Sequence, residues 1–235
     1  YLLKRADKII VATEGHIKGS DYLPAFKDKC VVIPYGLTLS EYDSIERKPV
    51  LTSKLNNPSN KKVFFTGRLV PYKGVEVLLE AFKSVEGAEL FITGKGPLEE
   101  SLKSFVATNN MSDKVHFLGF LETSDLKAAY ADCDFFVLPS VIKSEAFGIV
   151  QIEAMVYGKP VINTNLDSGV PYVSVDGESG ITVPVHDSVA LANAITKLVN
   201  DDDLRMKYGK VARERVEKYF NEDFVIQDLY KLLKE

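Results

Sequence analysis

Apolar segments rich in β-forming residues alternate with segments of helical periodicity over most of this chain, and this alternation restricts the fold more than any other feature. Residues 62–67 (KVFFTG) are typical of a buried strand, whereas Val75, Leu78 and Phe82 recur at the spacing of one helix face. Strands joined by helices require right-handed crossovers, which make the sheet parallel and cover both of its faces. The predicted strands are 62–67, 88–94, 114–119, 134–140, 159–165 and 177–184, and the predicted helices are 74–85, 97–109, 123–133, 148–158, 187–200, 202–220 and 223–235. The sequence therefore predicts an α/β protein with a Rossmann-like, doubly wound parallel sheet.

The predicted domains are unequal in size. Residues 1–42 hold one helix and two strand-like segments, which is too little chain to bury a core alone. We predict that they are the end of an N-terminal domain and a hinge, that 43–220 form the Rossmann-like domain, and that 221–235 form a final helix. A polar stretch at 44–62 is predicted to be a surface excursion or the edge of a domain. Because the sequence begins with Tyr, a fragment of a longer protein is expected.

Composition excludes some classes of function. The net charge of −4 gives no support for nucleic-acid binding, which favours a basic surface. Apolar runs such as 135–138 (FFVL) are too short to span a bilayer, and the chain leads straight into Lys4 and Arg5 without a signal-peptide pattern. Cys30 and Cys133 lack metal-ligand spacing and are predicted to be reduced and structural. A cytosolic location is expected.

Two cations follow the first strand of the predicted domain. That strand ends at Gly67, and Arg68 and Lys73 lie on the loop that leads into the next helix. Backbone N–H groups, a helix dipole and two positive side chains make an anion site there, and Arg can clasp a phosphate through two donors. The alternative is a pair of surface cations on an ordinary loop. The spacing of Gly and Lys is not that of a P-loop.

A second loop, TGKGPLEE, follows the next predicted strand. Gly94 and Gly96 allow a tight turn and close approach of a ligand. On its own, this segment favours an ordinary turn between a strand and a helix over a ligand-binding loop.

Two glutamates mark the segment 144–153 (SEAFGIVQIE). Glu145 lies in a polar loop, and Glu153 lies in a predicted helix whose other residues are mostly apolar. A carboxylate buried in such a helix needs a cation or neutral donors. The hydroxyls of a ribose would be suitable donors, and the alternative is a structural bond to a neighbouring side chain or backbone group. Gly148 would permit a ligand to come close to the first N–H groups of the helix.

The three histidines are scattered, and none has metal-ligand spacing or a partnered acid. Core or surface roles are therefore expected for His16 and His186, whereas His116 lies on a strand near the predicted ligand edge and could line a pocket. No Ser-His-Asp or Cys-His arrangement and no paired aspartates can be read from the sequence. No metal site is predicted.

Four segments, in this order, resemble the family-4 retaining glycosyltransferases of the GT-B fold: FTGRLVPYKGVEVLLEAF, FITGKGPLEESL, VHFLGFLETSDLKAAYADCDFFVLPS and EAFGIVQIEAMVYGKPVI. They cover nearly all of 61–197, and the Glu-x7-Glu spacing from Glu145 to Glu153 is the most specific element. An earlier stretch, KRADKIIVATE and VVIPYGLTLSEY, resembles the point where this family's chain passes from its N-terminal to its C-terminal domain. The resemblance implies that this chain is mainly the C-terminal half of a GT-B fold, the half that binds the sugar nucleotide.

The resemblance also implies a role for individual residues. Arg68 and Lys73 would hold the donor diphosphate and Glu145 would contact the transferred sugar, which makes these three the implied catalytic residues. Glu153 would bind the ribose hydroxyls. The other donor-binding residues implied are Gly67, Gly94, His116, Phe117, Leu118, Phe147, Gly148, Ile149 and Val150.

The resemblance assigns residues of this set to three parts of the donor: the base, the sugar and the phosphates. Gly94 and the segment 116–118 would border the base. Phe147 and Gly148 would line the sugar site, and the N–H groups at 149–150 would meet phosphate oxygens. As the glycosidic bond breaks, the cations would stabilise negative charge on the departing diphosphate.

The reaction implied by the resemblance transfers a hexose-type sugar from a UDP or GDP sugar to a carbohydrate or glycolipid acceptor with retention of configuration. No metal and no cofactor are expected, and the setting would be the synthesis of glycans, polysaccharides or glycolipids. The acceptor site would lie on the N-terminal domain, most of which this chain lacks, so we expect little activity from the chain alone. The final helix, 221–235, would cross back onto that domain, and the full-length enzyme could associate peripherally with a membrane.

One residue departs from the family's pattern, and two alternative functions remain open. Tyr172 stands where many relatives carry a Glu after Pro, which leaves the local donor contacts uncertain. A GT-B-fold epimerase or phosphorylase is one alternative, and a non-catalytic nucleotide-binding module that works with a separate partner chain is the other.

Overall fold

The computed structural model describes residues 2–234, and these contain a large parallel sheet and a small one. The small sheet pairs β1 (Ile9–Val11) with β2 (Cys30–Val32). The strands of the large sheet are β3 (Lys61–Thr66), β4 (Ala88–Thr93), β5 (Val115–Gly119), β6 (Phe135–Leu138), β7 (Val161–Thr164) and β8 (Gly180–Val183). Their order is β5-β4-β3-β6-β7-β8, and every pair is parallel. The predicted doubly wound α/β fold is confirmed.

Helices connect the strands. They are α1 (Leu2–Arg5), α2 (Glu14–Gly19), α3 (Ser40–Asp43), α4 (Val75–Phe82), α5 (Glu99–Thr108), α6 (Thr123–Asp132), α7 (Ile149–Met155), α8 (Val170–Val173), α9 (Ser188–Asn200), α10 (Asp202–Tyr219) and α11 (Glu222–Leu232). Single 3₁₀ segments occur at Leu23–Lys29, Thr52–Lys54 and Pro71–Lys73. None of the helices within the described range is both long and apolar enough to cross a membrane.

Both faces of the large sheet are buried, as the near-continuous apolar strands predict. In β3, Val63 and Phe65 point to one core cluster, with α4, α5 and α9, whereas Phe64 points to the other, with α6, α7 and α10. These three side chains have no exposed surface. The alternation of side chains along a strand thus supplies two cores from one apolar run.

Two carboxylates tie the polar stretch 44–62 to the large sheet. Asp132 accepts hydrogen bonds from the backbone N–H groups of Leu51 and Thr52 at 2.7 and 2.8 Å. Glu89, which is fully buried, accepts from the N–H groups of Asn56 and Asn57 at 3.0 and 2.8 Å. The stretch is therefore the anchored edge of the domain rather than a free excursion.

Two segments of the chain that are distant in sequence, 36–37 and 220–222, lie side by side. Leu37 donates its N–H to the carbonyl of Phe220 at 2.7 Å, and its own carbonyl accepts from the N–H of Glu222 at 3.0 Å. A Cβ on Gly36 would lie 2.7 Å from the Cα of Glu222, so the two segments are in direct contact. The domain boundaries predicted at 42/43 and 220/221 remain predictions, and Tyr1 and Glu235 lie outside the described residues.

The order of the strands reverses between β3 and β6. From β3 the chain moves outward to β4 and β5, and it then returns to the other side of β3 with β6 before moving outward through β7 and β8. In open α/β sheets, ligands bind beyond the carboxyl ends of the strands at such a switch point. The loops that follow β3 and β6 are therefore where a site is expected.

Candidate functional site

The ends of β3 and β4 come together through glycine. Gly94 has a φ of +126°, and a Cβ added to it would lie 1.9 Å from the carbonyl oxygen of Gly67. A residue with a side chain would be strained by this positive φ and would also collide with the carbonyl of Gly67, so glycine is required at this position. The close approach brings the loops after β3 and β4 into direct backbone contact.

A pocket of about 320 Å³ opens at these strand ends. Backbone from both glycine turns, two cations and apolar side chains form its walls. The lining residues are Thr66, Gly67, Arg68, Thr93, Gly94, Lys95, Phe120, Leu121 and Leu126. The Arg68 side chain is exposed and has no hydrogen-bond or ion-pair partner in the part of the chain that the structure describes. A cation without a counter-charge at the carboxyl edge of a parallel sheet suits an anionic ligand.

The second predicted cation, Lys73, lies in a different environment. Its Nζ is 2.5 Å from Oε2 of Glu145, and the two side chains are only 11 and 10% exposed. The same Oε2 accepts a hydrogen bond of 2.9 Å from the hydroxyl of Ser140. The structure thus brings together Lys73 and Glu145, which are far apart in sequence, as a buried ion pair.

The loops after β3 and β6 are clamped to one another at the switch point. The N–H of Val141 donates to the carbonyl of Tyr72 at 2.8 Å. Gly74 has a φ of +68°, and a Cβ on it would lie 2.0 Å from the carbonyl oxygen of Pro139. A residue with a side chain at Gly74 would push the start of α4 away from β6, so this glycine keeps Lys73 within reach of Glu145.

The start of α7 closes the site on the β6 side. Gly148 precedes the helix with a φ of +73°, and a Cβ there would lie 2.6 Å from Cδ2 of Leu138. Phe147 is only 3% exposed, and its ring packs edge-on against Tyr35 and Phe220, with centroids 5.1 and 5.9 Å away. Only the backbone of Phe147 can therefore line a sugar site, because its ring faces the apolar connection between the two sheets.

Glu153 has partners that the sequence did not specify. Its Oε2 accepts a hydrogen bond of 2.8 Å from the hydroxyl of Tyr130, and its Oε1 accepts one of 3.3 Å from Tyr42. Glu153 is mostly but not fully buried, as its apolar helix predicts. Burial, followed by the nearby charge of Glu153, raises the pKa of both tyrosines, so their hydroxyls remain donors. These contacts are those of the structural alternative, and a bond to ribose stays a prediction.

The structure corrects the placement of His116. Its Nε2 lies 2.7 Å from Oε2 of the buried Glu89, and its ring stacks on Phe91 with centroids 4.7 Å apart. His116 is in register with Phe91, three residues before β5 ends at Gly119. Because a strand rises about 3.3 Å per residue, the side chain is about 10 Å from the ligand edge and cannot border a base there.

The hydrogen-bond partners of Glu89 favour the ionised form of its carboxylate. Burial alone would raise its pKa, but hydrogen bonds from the N–H groups of Asn56 and Asn57, and then from His116 and Asn60, hold the pKa below its usual value. His116 therefore belongs to the structural anchor of the stretch 44–62.

The segment that does border the strand-end pocket lies just after the one predicted. Phe117 and Leu118 pack against the two core clusters, whereas Phe120 and Leu121 line the pocket. Thr66, Thr93, Lys95 and Leu126 also line it and were likewise not predicted. Five of these six residues lie at a strand end or within two residues after one, which is the same signal that identified Gly67 and Arg68.

A larger pocket, of about 510 Å³, lies beside residues 142–144, which precede Glu145. It is lined by α2 and the following turn and by the loops after β6 and β7. Its walls include His16, Asp21, Tyr22, Ile142, Ser144 and Asp167. Burial lowers the pKa of His16, whose Nδ1 is 3.0 Å from the hydroxyl of Thr13.

Among residues 2–234, no three side chains of the metal-ligating types His, Cys, Asp and Glu converge. The absence of a metal from the reaction remains an expectation.

Comparison with known proteins identifies relatives. Residues 48–215 match the family described as Glycosyl transferases group 1. The chain is 30% identical over 236 residues to the O-antigen chain mannosyltransferase C of Escherichia coli, covering 99% of this chain and 62% of that protein. It is 36% identical over 202 residues to the phosphatidyl-myo-inositol mannosyltransferase of Mycobacterium leprae, covering 84% of this chain and 51% of that protein. The chain thus spans little more than half the length of these relatives.

A solved structure shares the fold. Anabaena Alr3699/HepE in complex with UDP and glucose superposes with a TM-score of 0.84 at 22% sequence identity. The match covers 98% of this chain and 63% of that one.

Proposed function

Since the chain belongs to the group 1 glycosyl transferases, we propose that it is the donor-binding portion of an enzyme that transfers a hexose-type sugar from a nucleoside-diphosphate sugar. The acceptor would be a carbohydrate or a glycolipid, the anomeric configuration would be retained, and the product would be a glycan, polysaccharide or glycolipid. The names of the two mannosyltransferase relatives support the reaction class, and the UDP complex of the similar structure supports the kind of donor.

One observation carries the proposal: charged side chains of the loops after β3 and β6 lie at the topological switch point. Arg68 lines the strand-end pocket without a counter-charge within residues 2–234, and Lys73 contacts the preceding residue, because a Cβ on Gly67 would be 3.5 Å from Cε of Lys73. Glu145 is bonded to Lys73 at 2.5 Å. A diphosphate in the pocket would meet the two cations, and a sugar attached to it would extend toward Glu145.

We propose that the chemistry is electrostatic stabilisation of the leaving group. When the glycosidic bond breaks, negative charge grows on the diphosphate oxygen that leaves. Arg68 offers two parallel donors to that charge, and Lys73 offers a compact ammonium. The N–H groups of Ile149 and Val150 would add donors that need no reorganisation. In this proposal the protein's own cations, rather than a metal ion, do this work.

The base would occupy the part of the strand-end pocket beyond β4 and β5. Phe120 is 64% exposed there and offers an apolar face, while Gly94 lets the backbone come close. The acceptor would approach from the larger pocket beside residues 142–144, whose walls include the segment that precedes the large sheet. The remaining acceptor contacts would come from an N-terminal domain, as the resemblance implies.

Titration of the chain with UDP, GDP, ADP and TDP by isothermal calorimetry tests this proposal. We expect one of them to bind, and we expect Arg68→Ala to weaken that binding about tenfold or more, because a hydrogen-bonded charge contact contributes about 1.5–3 kcal/mol. The matched control is Arg47→Ala, since Arg47 is also exposed but lines a different pocket from Arg68.

Two results would count against the proposal. The first is that none of the four nucleotides binds to the folded chain. The second is that Arg47→Ala weakens binding as much as Arg68→Ala does, which would mean that net charge rather than a site attracts the nucleotide.

A further inference from the structure

We propose that Ser140 is a positioning residue for Glu145, and that it turns one oxygen of that carboxylate, Oε1, toward the transferred sugar. The inference rests on the proposed function, because it assumes that Glu145 contacts the sugar. It adds a residue to which neither the sequence patterns nor the resemblance gives a role.

The hydroxyl and the carbonyl of Ser140 each make a hydrogen bond within the protein. It lies two residues after β6 and has no exposed surface. Its hydroxyl donates to Oε2 of Glu145 at 2.9 Å, and its carbonyl accepts a hydrogen bond of 2.5 Å from the hydroxyl of Thr164 at the end of β7. Thr164 is itself only 3% exposed. A rigid strand end therefore fixes the position from which Ser140 holds Glu145.

The two oxygens of Glu145 are used unequally. Oε2 accepts from both Lys73 and Ser140, whereas Oε1 has no hydrogen-bond partner within residues 2–234. The side chain cannot turn Oε2 outward without breaking both bonds. Oε1 is thus the atom that is left for a hydroxyl group of a ligand, and its direction is set by Ser140 and Lys73 together.

Ser140 becomes more important once a diphosphate is bound. A phosphate oxygen attracts the ammonium of Lys73, so this bond to Glu145 must be shared or lost. The hydroxyl of Ser140 is neutral and fully buried, and it has no direct path to the phosphate. It is the donor that continues to hold Oε2 in the occupied site, when the orientation of Oε1 matters.

This role predicts a difference that a purely structural role does not. If Ser140 orients Glu145, its loss weakens only the contacts with the sugar. The nucleoside diphosphate is held by Arg68, Lys73 and the strand ends, so its affinity stays unchanged. The measured quantity is therefore the ratio of the affinity for a sugar nucleotide to the affinity for the matching diphosphate.

The experiment measures this ratio by isothermal calorimetry with the full chain. The ligand pairs are UDP with UDP-glucose and GDP with GDP-mannose. For Ser140→Ala we expect the affinity for the sugar nucleotide to fall about tenfold, as loss of one hydrogen bond to a charged group predicts. The affinity for the diphosphate should stay within about twofold. The matched control is Ser174→Ala, because Ser174 is 1% exposed and its hydroxyl bonds to Ser179 at 3.2 Å, away from Glu145.

A second pair of variants keeps the test decisive if Ser140→Ala fails to fold. Thr164→Val removes the hydroxyl that holds the Ser140 carbonyl and leaves Glu145 untouched, so it should lower the same ratio, by a smaller factor. Thr164→Ser keeps the hydroxyl and should restore the ratio.

Three results would overturn the inference. A fall of both affinities by the same factor would make Ser140 merely structural, and an unchanged ratio in both Ser140→Ala and Thr164→Val would give it no role. Failure of the unsubstituted chain to bind any diphosphate would overturn the proposed function, and this inference with it. The first two results would not contradict the proposed function, because both are measured with a chain that binds the diphosphate.

Discussion

Removing the charge of Glu145 should destabilise the empty protein and make it respond more strongly to an anion. Glu145→Gln keeps the size of the side chain and an acceptor oxygen, but it leaves the ammonium of Lys73 without a counter-charge. The two side chains are 11 and 10% exposed and their charged atoms are 2.5 Å apart. Removing one partner of a buried pair costs about 3–5 kcal/mol. Because the amide oxygen can still accept from Lys73, we expect a loss near the lower limit, about 3 kcal/mol in the free energy of unfolding.

Equilibrium unfolding in urea at neutral pH measures this loss. The control is an exposed ion pair of similar length, Lys83 with Glu80 at 2.9 Å, whose side chains are 41 and 48% exposed. Glu80→Gln should cost less than about 1 kcal/mol, since solvent screens such pairs. The double variant Lys73→Met/Glu145→Gln should be more stable than the sum of the two single losses predicts, because the second change removes the orphaned charge.

Inorganic pyrophosphate then separates a structural pair from a binding site. In the unsubstituted chain the anion must compete with Glu145 for Lys73, whereas in Glu145→Gln it supplies the missing counter-charge. Pyrophosphate should therefore raise the stability of Glu145→Gln by more than it raises that of the unsubstituted chain. The reasoning is refuted if Glu145→Gln unfolds at the same urea concentration as the unsubstituted chain, or if pyrophosphate stabilises both equally.

Three further predictions follow from the same structure. Gly94→Ala places a Cβ 1.9 Å from the carbonyl oxygen of Gly67, so thermal unfolding should show a loss of stability of about 3 kcal/mol or more. The control is Gly119→Ala, whose Cβ has nothing within 4 Å; it should cost only about 1 kcal/mol in the same assay. Glu89 has a lowered pKa in the folded state, so its contribution to stability is present above the usual carboxyl pKa and is lost as the pH falls through the folded value. Glu89→Gln should therefore weaken the dependence of the urea midpoint on pH in the acid range. Phe120→Ala removes a side chain that is 64% exposed, so stability should change by less than about 0.5 kcal/mol while calorimetry shows weaker binding of the nucleotide.

Local signals predicted the elements of the large sheet. Short apolar runs, helical spacing and glycines after strands are each visible within a short window, and all six strands after residue 60 were placed from them. The same local signals located the loop of Gly67 and Arg68 and the loop of Glu145. Helix ends were less accurate: the helix predicted to begin at Pro97 begins at Glu99, because the residue pair before it completes a turn.

The contacts within the site could not be predicted, because they depend on which strands are neighbours. Lys73 follows β3 and Glu145 follows β6, and the two loops meet only because β6 pairs with β3 instead of continuing outward beyond β5. No sequence pattern specifies that order. The error at His116 has a different origin, since its residue type was given more weight than its distance from the end of the strand.

Glu153 shows why a structural and a functional interpretation of one residue need not exclude each other. A carboxylate can accept about four hydrogen bonds, and Tyr130 and Tyr42 use one position on each oxygen of Glu153. Tyr130 is 1% exposed, and its raised pKa keeps it a donor, so it can hold the carboxylate in one orientation while Glu153 keeps further acceptor positions. Ser140 stands in the same relation to Glu145, with one neutral hydroxyl bonded to one carboxylate oxygen. In both places a buried neutral donor fixes a glutamate without neutralising its charge, and at Glu145 that charge is balanced by Lys73 through the same oxygen, which leaves Oε1 for a hydroxyl group of a ligand.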